Sequence, residues 1–424
     1  MSPRLSNFSR RQFLGTSAAL AFASAPFPAL AADSPAISSL KPLGNRVRPV
    51  TAEEFQDRAR HAQELMAQLD PKFDALILGP GSCLYYFTGI RWGLSERLLC
   101  MVLPRSGQPI LISPAFEEGR MRESLRYPVE VRTWQEDESP TKLIASAFAD
   151  RKIATGRIGI EESLPFTFYN HLKEAAPGCS LVSADPVTIA CRSVKSKHEL
   201  ELMCLACEAT CDVFREVFAS LKAEMSQEDI GHLISSGFAK MDLRGDALVL
   251  LGASAALPHG SKMPQKLKDG DVVLIDGGCL LEGYESDVTR TGTLGKPTAK
   301  VQQVFEIVRK AQDAALDAAL AGKLSGTVDD AARAVVTTGG YGPDYKFFTH
   351  RLGHGLGLDG HEHPYLVRGS KTVLAPGMTF SNEPGIYIPG EFGVRCEDDM
   401  VITADGPAQL LTPGFQVSLE RPLG

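Results

Sequence analysis

The stretch 273-VLIDGGCLLEGYESDVTRTG-292 contains two aspartates in positions where a carboxylate is costly. Asp276 follows an apolar run typical of a buried strand, and Asp287 lies beyond a glycine-containing turn. If residues 272–280 and 283–291 pair as antiparallel strands, Asp276 lies directly opposite Asp287. Like charges that face each other in a sheet repel, and burial adds to the cost, so this hairpin predicts a positive partner for the two carboxylates.

A second stretch, 378-MTFSNEPGIYIPGEFGVRCEDDMVIT-403, repeats this arrangement with glutamates. Glu383 and Glu397 lie symmetrically about Gly390 in the turn IPGE, so a second hairpin would bring a second carboxylate pair together. Both registers are open to change, because a single bulge shifts the facing residues and two prolines interrupt the second ladder. The recurrence of paired carboxylates in two hairpins favours a shared site.

Between the two hairpins, 348-FTHRLGHGLGLDGHEHP-364 places histidines among glycines, which permit close approach of the backbone. Four carboxylates and one imidazole form an oxygen-rich site that suits divalent Mn, Co, Fe or Zn better than a thiolate-bound metal. Four negative charges match two divalent ions, so the pattern predicts a dinuclear centre in which metal neutralises the buried acids. Mn2+ is the preferred ion, with Co2+, Zn2+ and Fe2+ as alternatives.

The N-terminus has the features of an export leader. The segment 9-SRRQFLGTSAALAFASAPFPALAA-32 contains two arginines, a short apolar run and an Ala-x-Ala exit that ends at Ala31. SRRQFL is similar to the twin-arginine signal of bacteria, and an ordinary secretory leader with a chance arginine pair is the alternative. Residues 1–31 are therefore predicted to be an export signal. The mature protein is expected to be soluble and periplasmic, because no later segment has the apolar length of a membrane helix.

The composition is that of an ordinary globular chain and excludes some partners. The 424 residues are 44% hydrophobic and 22% charged, which is ample for two domains with sizeable cores. The net charge is -7 and no basic stripe occurs, so we expect neither nucleic acid nor, after leader removal, a membrane as partner. Cys204, Cys207 and Cys211 have the spacing of a buried helix face rather than of a metal site.

Two domains are predicted from the change of pattern along the mature chain. Residues 32–190 alternate short apolar runs with helical periodicity, which indicates an α/β domain without a cluster of histidines, cysteines and carboxylates. Residues 191–424 open with a long helix and combine strand pairs with helices near 197–222, 226–241 and 300–321.

At the two hairpins and the histidine segment, the sequence resembles the pita-bread metallopeptidases, in their Xaa-Pro branch of aminopeptidase P and prolidase. The matching segments are 254-SAALPHG-260, 274-LIDGG-278, 283-GYESDVTRTG-292, 349-THRLGHGLGLDGHEHP-364, 374-LAPGMTFSNEPGIYIPG-390 and 393-GVRCEDDMVIT-403. The resemblance implies a creatinase-like α/β N-terminal domain before an α+β pita-bread (creatinase/aminopeptidase-like) catalytic domain. The sequence departs at Gly260, where an aromatic residue is frequent, and at Cys396, where an aliphatic residue is usual.

The resemblance also implies a role for each polar group of the predicted site. It implies five metal ligands, two of which, Asp287 and Glu397, bridge the ions: Asp276, Asp287, His354, Glu383 and Glu397. It places three histidines on the substrate side, namely His259, His350 and His361. Arg395, two residues before Glu397, is expected to contact a metal ligand and orient it without binding the metal itself.

Paired divalent ions lower the pKa of a bridging water and present hydroxide to a scissile carbonyl near neutral pH. Glu383 is the candidate proton shuttle from this nucleophile to the leaving nitrogen. His361 and His259 are expected to hydrogen-bond the carbonyl oxygen and the tetrahedral intermediate.

The predicted function is therefore a metal-dependent exopeptidase that hydrolyses the Xaa-Pro bond at the N-terminus of peptides or in dipeptides. The alternatives are a lyase or other small-molecule hydrolase of the same fold, and a non-catalytic binding protein. Arg368 favours a dipeptidase only if it holds a substrate carboxylate, and a solvated loop arginine is the simpler interpretation. In similar proteins the segment around Arg91 and Trp92 can reach a neighbouring subunit, so a homodimer or higher homo-oligomer is expected.

Overall fold

The computed structural model describes residues 37–423, so the predicted export leader, residues 1–31, lies outside the described part of the chain. This range folds into an α/β domain followed by an α+β domain, which confirms the predicted fold class. Within residues 37–423, no helix combines the length and the apolar character that crossing a bilayer requires.

The first domain alternates helices and strands along the chain. Its elements are α1 (Ala52–Gln68), β1 (Ala75–Leu78), α2 (Ser82–Thr88), β2 (Cys100–Pro104), β3 (Ile110–Pro114), α3 (Glu118–Ser124), β4 (Glu130–Trp134), α4 (Pro140–Asp150), β5 (Arg157–Ile160), α5 (Phe166–Ala175), β6 (Ser180–Ser183) and α6 (Asp185–Ser193). Helix α1 begins at a capping box, in which the Thr51 side chain accepts the N–H of Glu54 and the Glu54 carboxylate accepts the N–H of Thr51.

The strands of the first domain form one six-stranded mixed sheet in the order β4-β3-β2-β1-β5-β6. Alternate residues of its central strands point to opposite faces. Leu76 and Leu78 enter a core that also contains Val213 and Phe214 of the second domain. Ile77 enters a separate core beneath α4 and α5. One face of the sheet is thus buried against the second domain.

The second domain contains two successive sets of helices and strands. Its elements are α7 (Lys197–Ser220), α8 (Gln227–Lys240), β7 (Arg244–Leu251), β8 (Val272–Leu281), β9 (Tyr284–Glu285), β10 (Val288–Thr293), α9 (Ala299–Ala318), α10 (Ser325–Val336), β11 (Gly353–Gly355), β12 (Glu362–Leu366), β13 (Thr379–Asn382), β14 (Gly385–Ile388), β15 (Phe392–Arg395), β16 (Asp398–Val401) and β17 (Gln409–Leu410). Helices α7, α8 and α9 correspond to the three predicted helices, and α10 was not predicted.

The strands of the second domain form two larger sheets and one two-stranded ribbon. The first sheet has the order β10-β8-β7 with β9 paired to β8, the second has the order β12-β11-β13-β16-β17, and β14 pairs with β15. An antiparallel bridge between Thr289 and Glu397 joins the two larger sheets. This bridge brings the first predicted hairpin against the second.

The first hairpin differs in register from the prediction. Asp276 faces Thr289, whereas the prediction placed it opposite Asp287. The tight turn consists of Glu282 and Gly283, both with positive φ (50° and 95°), one residue later than expected. A turn displaced by one residue shifts the pairing by two, and an even shift leaves every side chain on the same face. Asp276 and Asp287 therefore remain on one side of the hairpin although they are not directly opposed.

The register of the second hairpin is confirmed. Asn382 pairs with Asp398 and Gly385 pairs with Arg395, so Glu383 and Glu397 between them face each other as predicted. Because the two pairings belong to different sheets, the proline after Glu383 marks the point where the hairpin passes from one sheet into the ribbon.

The cysteine face of α7 is partly as predicted. Cys207 and Cys211 are buried, but Cys204 is exposed, so the prediction of a fully buried face is wrong for Cys204. Residues three or seven positions apart do not lie strictly in line along a helix, and Cys204 lies at the edge of the apolar stripe. All nine cysteines are free thiols.

Candidate metal centre

The predicted carboxylates and His354 converge in the second domain. Oxygen atoms of Asp276, Asp287 and Glu397 lie within 4.8 Å of one another. A nitrogen of His354 and oxygens of Glu383 and Glu397 form a second group within the same distance. Glu397 belongs to both groups, so side chains from two hairpins and the strand between them form one continuous cluster.

Strand ends and ladder bonds hold the carboxylates in place. Asp276 lies inside β8, and Asp287 directly precedes β10. Glu383 follows β13 and donates its backbone N–H to the carbonyl oxygen of Leu352 at 3.0 Å. Glu397 precedes β16 and donates its N–H to the carbonyl oxygen of Thr289 at 3.1 Å. The cluster therefore sits where the two sheets meet.

The acids of the cluster carry more negative charge than the protein neutralises. Burial is the main reason why the pKa values of Asp287 and Glu397 are raised well above their usual range, and repulsion from neighbouring carboxylates is the second. Burial alone would also raise the pKa of Glu383, but its hydrogen bond with His354 and the nearby imidazoles lower it. Two acids that resist ionisation beside one that ionises readily indicate a site short of positive charge.

The hydroxyl of Thr289 shows the same shortage. Its Oγ1 lies 2.7 Å from Asp276 Oδ1 and 2.6 Å from Glu397 Oε2. A hydroxyl carries one proton and can donate to only one of these carboxylates at a time. The oxygens it leaves without a donor, together with the imidazole nitrogen of His354, form a donor set that fits divalent cations.

Arg395 is the guanidinium that contacts the cluster. It is buried, and its Nη2 lies 2.5 Å from Asp276 Oδ2, where the prediction expected a group that orients a ligand. Its Nε donates to Thr289 Oγ1 at 3.1 Å, and its Nη1 donates to the hydroxyl of Tyr387 at 2.7 Å. Burial would lower the pKa of Arg395, but the charge of Asp276 holds it well above its usual value. Arg395 thus orients the Asp276 carboxylate.

His354 and His361 stack on each other at the edge of the cluster. The ring centroids lie 3.7 Å apart with an interplanar angle of 19°. Burial would lower the pKa of His354, but Glu383, whose Oε1 lies 3.3 Å from His354 Nε2, raises it to about 9. His361 also forms a close group with Asp287 and His354, so its imidazole lies within reach of the same site. Gly353 permits the strand that carries His354 to lie close to β13, because a Cβ there would lie 2.0 Å from the carbonyl oxygen of Ser381.

Of the other two predicted histidines, His350 lies near the cluster and His259 lies in an exposed loop. His350 Nδ1 lies 3.8 Å from Glu383 Oε2, and its Nε2 lies 2.8 Å from the hydroxyl of Tyr387. Burial lowers the pKa of His350, so this imidazole is neutral near pH 7. His259 lies in an exposed loop and makes no hydrogen bond or ion pair within residues 37–423. The same loop is tethered through the carbonyl oxygen of Pro258, which accepts from Arg395 Nη1 at 3.3 Å.

His361 also faces a cavity of about 460 Å³ between the two domains. The cavity walls include Trp92 and Glu161 of the first domain and Tyr365 of the second. A cavity of this size accommodates a small ligand, and His361 links its wall to the cluster.

Two basic residues at the junction between the domains hold the segment that carries His361. Lys195 Nζ lies 2.6 Å from Glu362 Oε1, and Arg192 Nη2 lies 2.6 Å from Asp359 Oδ2. Asp359 and Glu362 flank His361 on either side, so the junction determines where the imidazole sits.

Sequence reasoning missed several residues that surround the cluster. Thr289, Tyr387 and Asp399 contact it directly or through one group, and Lys195 acts from the domain junction. Neutral hydroxyls in strands give no signal without a register, and Lys195 lies far from its partner in sequence. The run 397-EDD-399 gave a signal for Asp399, because three successive acids in a buried strand cannot all face water. Arg368, by contrast, pairs with Asp344 at 2.7 Å and is half-exposed.

Comparison with known protein families covers both domains. Residues 201–404 match metallopeptidase family M24, and residues 58–194 match the creatinase/prolidase N-terminal domain. The chain is similar to the probable dipeptidase PepE of Mycobacterium tuberculosis, with 34% identity over 82% of this chain and 92% of the relative. It is also similar to the Xaa-Pro dipeptidase of Lactobacillus delbrueckii subsp. lactis, with 33% identity over 78% of this chain and 91% of the relative.

A solved structure extends this similarity to the fold. The dipeptidase PepE from Mycobacterium ulcerans aligns with a TM-score of 0.80 and 33% identity, covering 87% of this chain and 98% of that structure. The two family matches follow the order of the observed domains, and the relatives are more than 30% identical over most of both chains. Together these findings assign the chain to a family. The chain belongs to metallopeptidase family M24 and carries a creatinase/prolidase N-terminal domain before its catalytic domain.

Proposed function

We propose that this protein is an Xaa-Pro dipeptidase that uses two divalent metal ions held by Asp276, Asp287, His354, Glu383 and Glu397. Membership of a metallopeptidase family implies divalent metal. The observation that carries the proposal is the continuous cluster of four carboxylates and one imidazole, which lacks enough positive charge of its own. The named dipeptidases among its relatives support the substrate class.

The metal supplies one part of the chemistry and the chain supplies the rest. Bound divalent ions supply Lewis acidity, which lowers the pKa of water and polarises a carbonyl. Because the donor set is rich in carboxylate oxygen and contains no thiolate, Mn2+ is the proposed ion among the divalent candidates.

Glu383 is the proposed proton carrier. As an ionised carboxylate, Glu383 can accept a proton from the attacking water. His354 and His350 lie 3.3 Å and 3.8 Å from its two oxygens and hold it in place. From this position Glu383 can deliver the proton to the departing proline nitrogen.

His361 is the proposed donor to the scissile carbonyl oxygen. Burial lowers its pKa, so the neutral ring offers one N–H. The ring stacks on His354 and faces the cavity, which places that N–H between the metal cluster and a bound peptide. His350 and His259 are proposed to line the substrate, with His259 brought in by its exposed loop.

Cleavage of small peptides tests the proposal. The mature protein, loaded with Mn2+, is incubated with Ala-Pro, Ala-Pro-Ala and Ala-Ala-Ala, and released amino acids are measured. We expect cleavage of Ala-Pro and little of the two tripeptides. Preferred cleavage of Ala-Pro-Ala would instead identify an aminopeptidase P, and cleavage of none of them would refute the proposed function.

We further propose that the protein is exported to the periplasm and forms a homo-oligomer. The predicted leader, residues 1–31, contains Arg10 and Arg11 and supports the twin-arginine route. The exposed side chain of Leu94, beside Trp92, supports a contact between subunits. Cell fractionation of wild type and of Arg11→Lys tests export, and light scattering of the mature protein tests the oligomer.

A further inference from the structure

Helix α7 contacts the back of the metal cluster through a buried thiol. The Sγ of Cys207 donates to Oδ2 of Asp399 at 3.2 Å, and the same oxygen accepts the backbone N–H of Asp287 at 3.0 Å. Cys207 and Asp399 are both fully buried. A chain of two hydrogen bonds therefore runs from a helix to the backbone of a residue in the cluster.

Asp287 has a particular need for such a contact. Strand β9 ends at Glu285 and β10 begins at Val288, so Asp287 lies at a break in the strand pairing. Its N–H bonds to the side chain of Asp399 instead of to a ladder carbonyl. One residue earlier, Ser286 Oγ lies 2.8 Å from Thr210 Oγ1, also on α7. The ladder continues on both sides, because the N–H of Ser286 donates to the carbonyl oxygen of Cys279 at 3.2 Å and Val288 pairs with Gly277. At Asp287 itself, a side chain replaces the ladder partner.

The environment of Asp399 points to a nearby positive charge. Its Oδ1 is buried and has no hydrogen-bond partner within the described range of 37–423. A buried carboxylate with an unpaired oxygen is costly unless a cation compensates for it. The proposed metal ions adjacent to Asp287 supply that compensation, because a divalent ion is the largest local charge in such a site.

We propose that Asp399 is a positioning residue for Asp287, and that Cys207 orients Asp399 through its thiol. The inference rests on the proposed metal centre. Asp399 fixes the direction of Asp287 through its hydrogen bond to the Asp287 backbone. Groups behind a metal ligand typically change metal affinity or activity by about 10- to 100-fold when they are removed. A contact that only stabilised the hairpin would leave the affinity for metal unchanged.

Five variants of the mature protein separate these roles. Asp399→Ala removes the acceptor, whereas Asp399→Asn retains an acceptor oxygen. Cys207→Ala removes the donor and Cys207→Ser restores one. Cys211→Ala is the matched control, because Cys211 is equally buried one turn further along the same helix.

Metal binding is measured by titration calorimetry with Mn2+, and the site geometry by the visible absorption of the Co2+ form. For Asp399→Ala we expect affinity to fall by about 10- to 100-fold with an altered Co2+ spectrum. For Asp399→Asn and Cys207→Ala we expect the Mn2+ affinity to fall as well, but by a smaller factor. Cys207→Ser should recover the parental values, and Cys211→Ala should lower thermal stability without changing either readout.

Two results would overturn the proposal. One is a folded Asp399→Asn or Asp399→Ala protein with parental Mn2+ affinity and Co2+ spectrum. The other is an equal loss of affinity in Cys207→Ala and Cys211→Ala, which would assign the effect to packing. If Asp399→Ala does not fold, the results for Asp399→Asn, Cys207→Ala and Cys207→Ser still test the proposal. Neither readout uses a peptide. A protein that binds metal but does not cleave Ala-Pro would therefore refute the proposed function, whereas the inference about Asp399 would still stand.

Discussion

Replacing Arg290 by methionine should cost more stability than any surface substitution of the same kind. Arg290 and Asp398 are both fully buried, and Nη2 lies 2.6 Å from Asp398 Oδ1. Nη1 also donates to the carbonyl oxygen of Glu397 at 2.7 Å. Methionine fills similar space but leaves the Asp398 carboxylate without its cation. Removing one partner of a buried pair costs about 3 to 5 kcal/mol, and Thr412 and Gln312 still donate to Asp398, which favours the lower end.

The matched control is Arg46→Met on the surface. Arg46 pairs with Glu208 as well, but the two side chains are 52% and 39% exposed, so the expected cost is about 0 to 1 kcal/mol. Urea unfolding of both variants, with chelator present so that metal binding does not contribute, gives the two changes in free energy. The double variant Arg290→Met with Asp398→Leu should regain part of the loss. Equal costs for Arg290→Met and Arg46→Met would refute the argument from burial.

Three further outcomes are expected. Glu383→Gln should lower kcat for Ala-Pro by about 100-fold or more, because the proton carrier is lost, and steady-state kinetics at saturating Mn2+ would reveal a wrong assignment as a near-parental rate. His361→Phe should keep the stacking on His354 but lose a hydrogen bond to the carbonyl, reducing kcat/KM by about 100-fold while Mn2+ affinity changes little. Removal of metal by a chelator should abolish cleavage and lower the melting temperature, and both should return with Mn2+, since a ligand that binds only the native state stabilises it. A chelated protein with full activity would contradict the metal requirement.

The residues of the cluster could be predicted from the sequence, but their exact pairing could not. Glu383 and Glu397 face each other as expected, because the turn at Gly390 is centred where the sequence indicates. Asp276 and Asp287 are displaced by two residues, because the turn consists of Glu282 and Gly283, both with positive φ, whereas the prediction placed it at Leu281 and Glu282. The even displacement preserved the face, and therefore the cluster, although the register was wrong.

Contacts between distant parts of the chain could not be predicted. The bond from Cys207 to Asp399 and the pair of Lys195 with Glu362 join segments that no local pattern connects. A buried thiol on an amphipathic helix looks like ordinary core from the sequence, because its hydrogen-bond partner depends on how the helix packs. The helices and strands follow from periodicity and the pita-bread fold was implied by the family resemblance, whereas these contacts follow from packing.

The most direct test of the central claim is diffraction from Mn2+-loaded crystals of the mature protein at the manganese absorption edge. The proposed dinuclear centre predicts two anomalous peaks within the cluster, both contacted by Asp287 and Glu397, with Asp276 on one side and His354 and Glu383 on the other. A single peak would refute the dinuclear assignment, and an empty cluster would refute the metal centre itself.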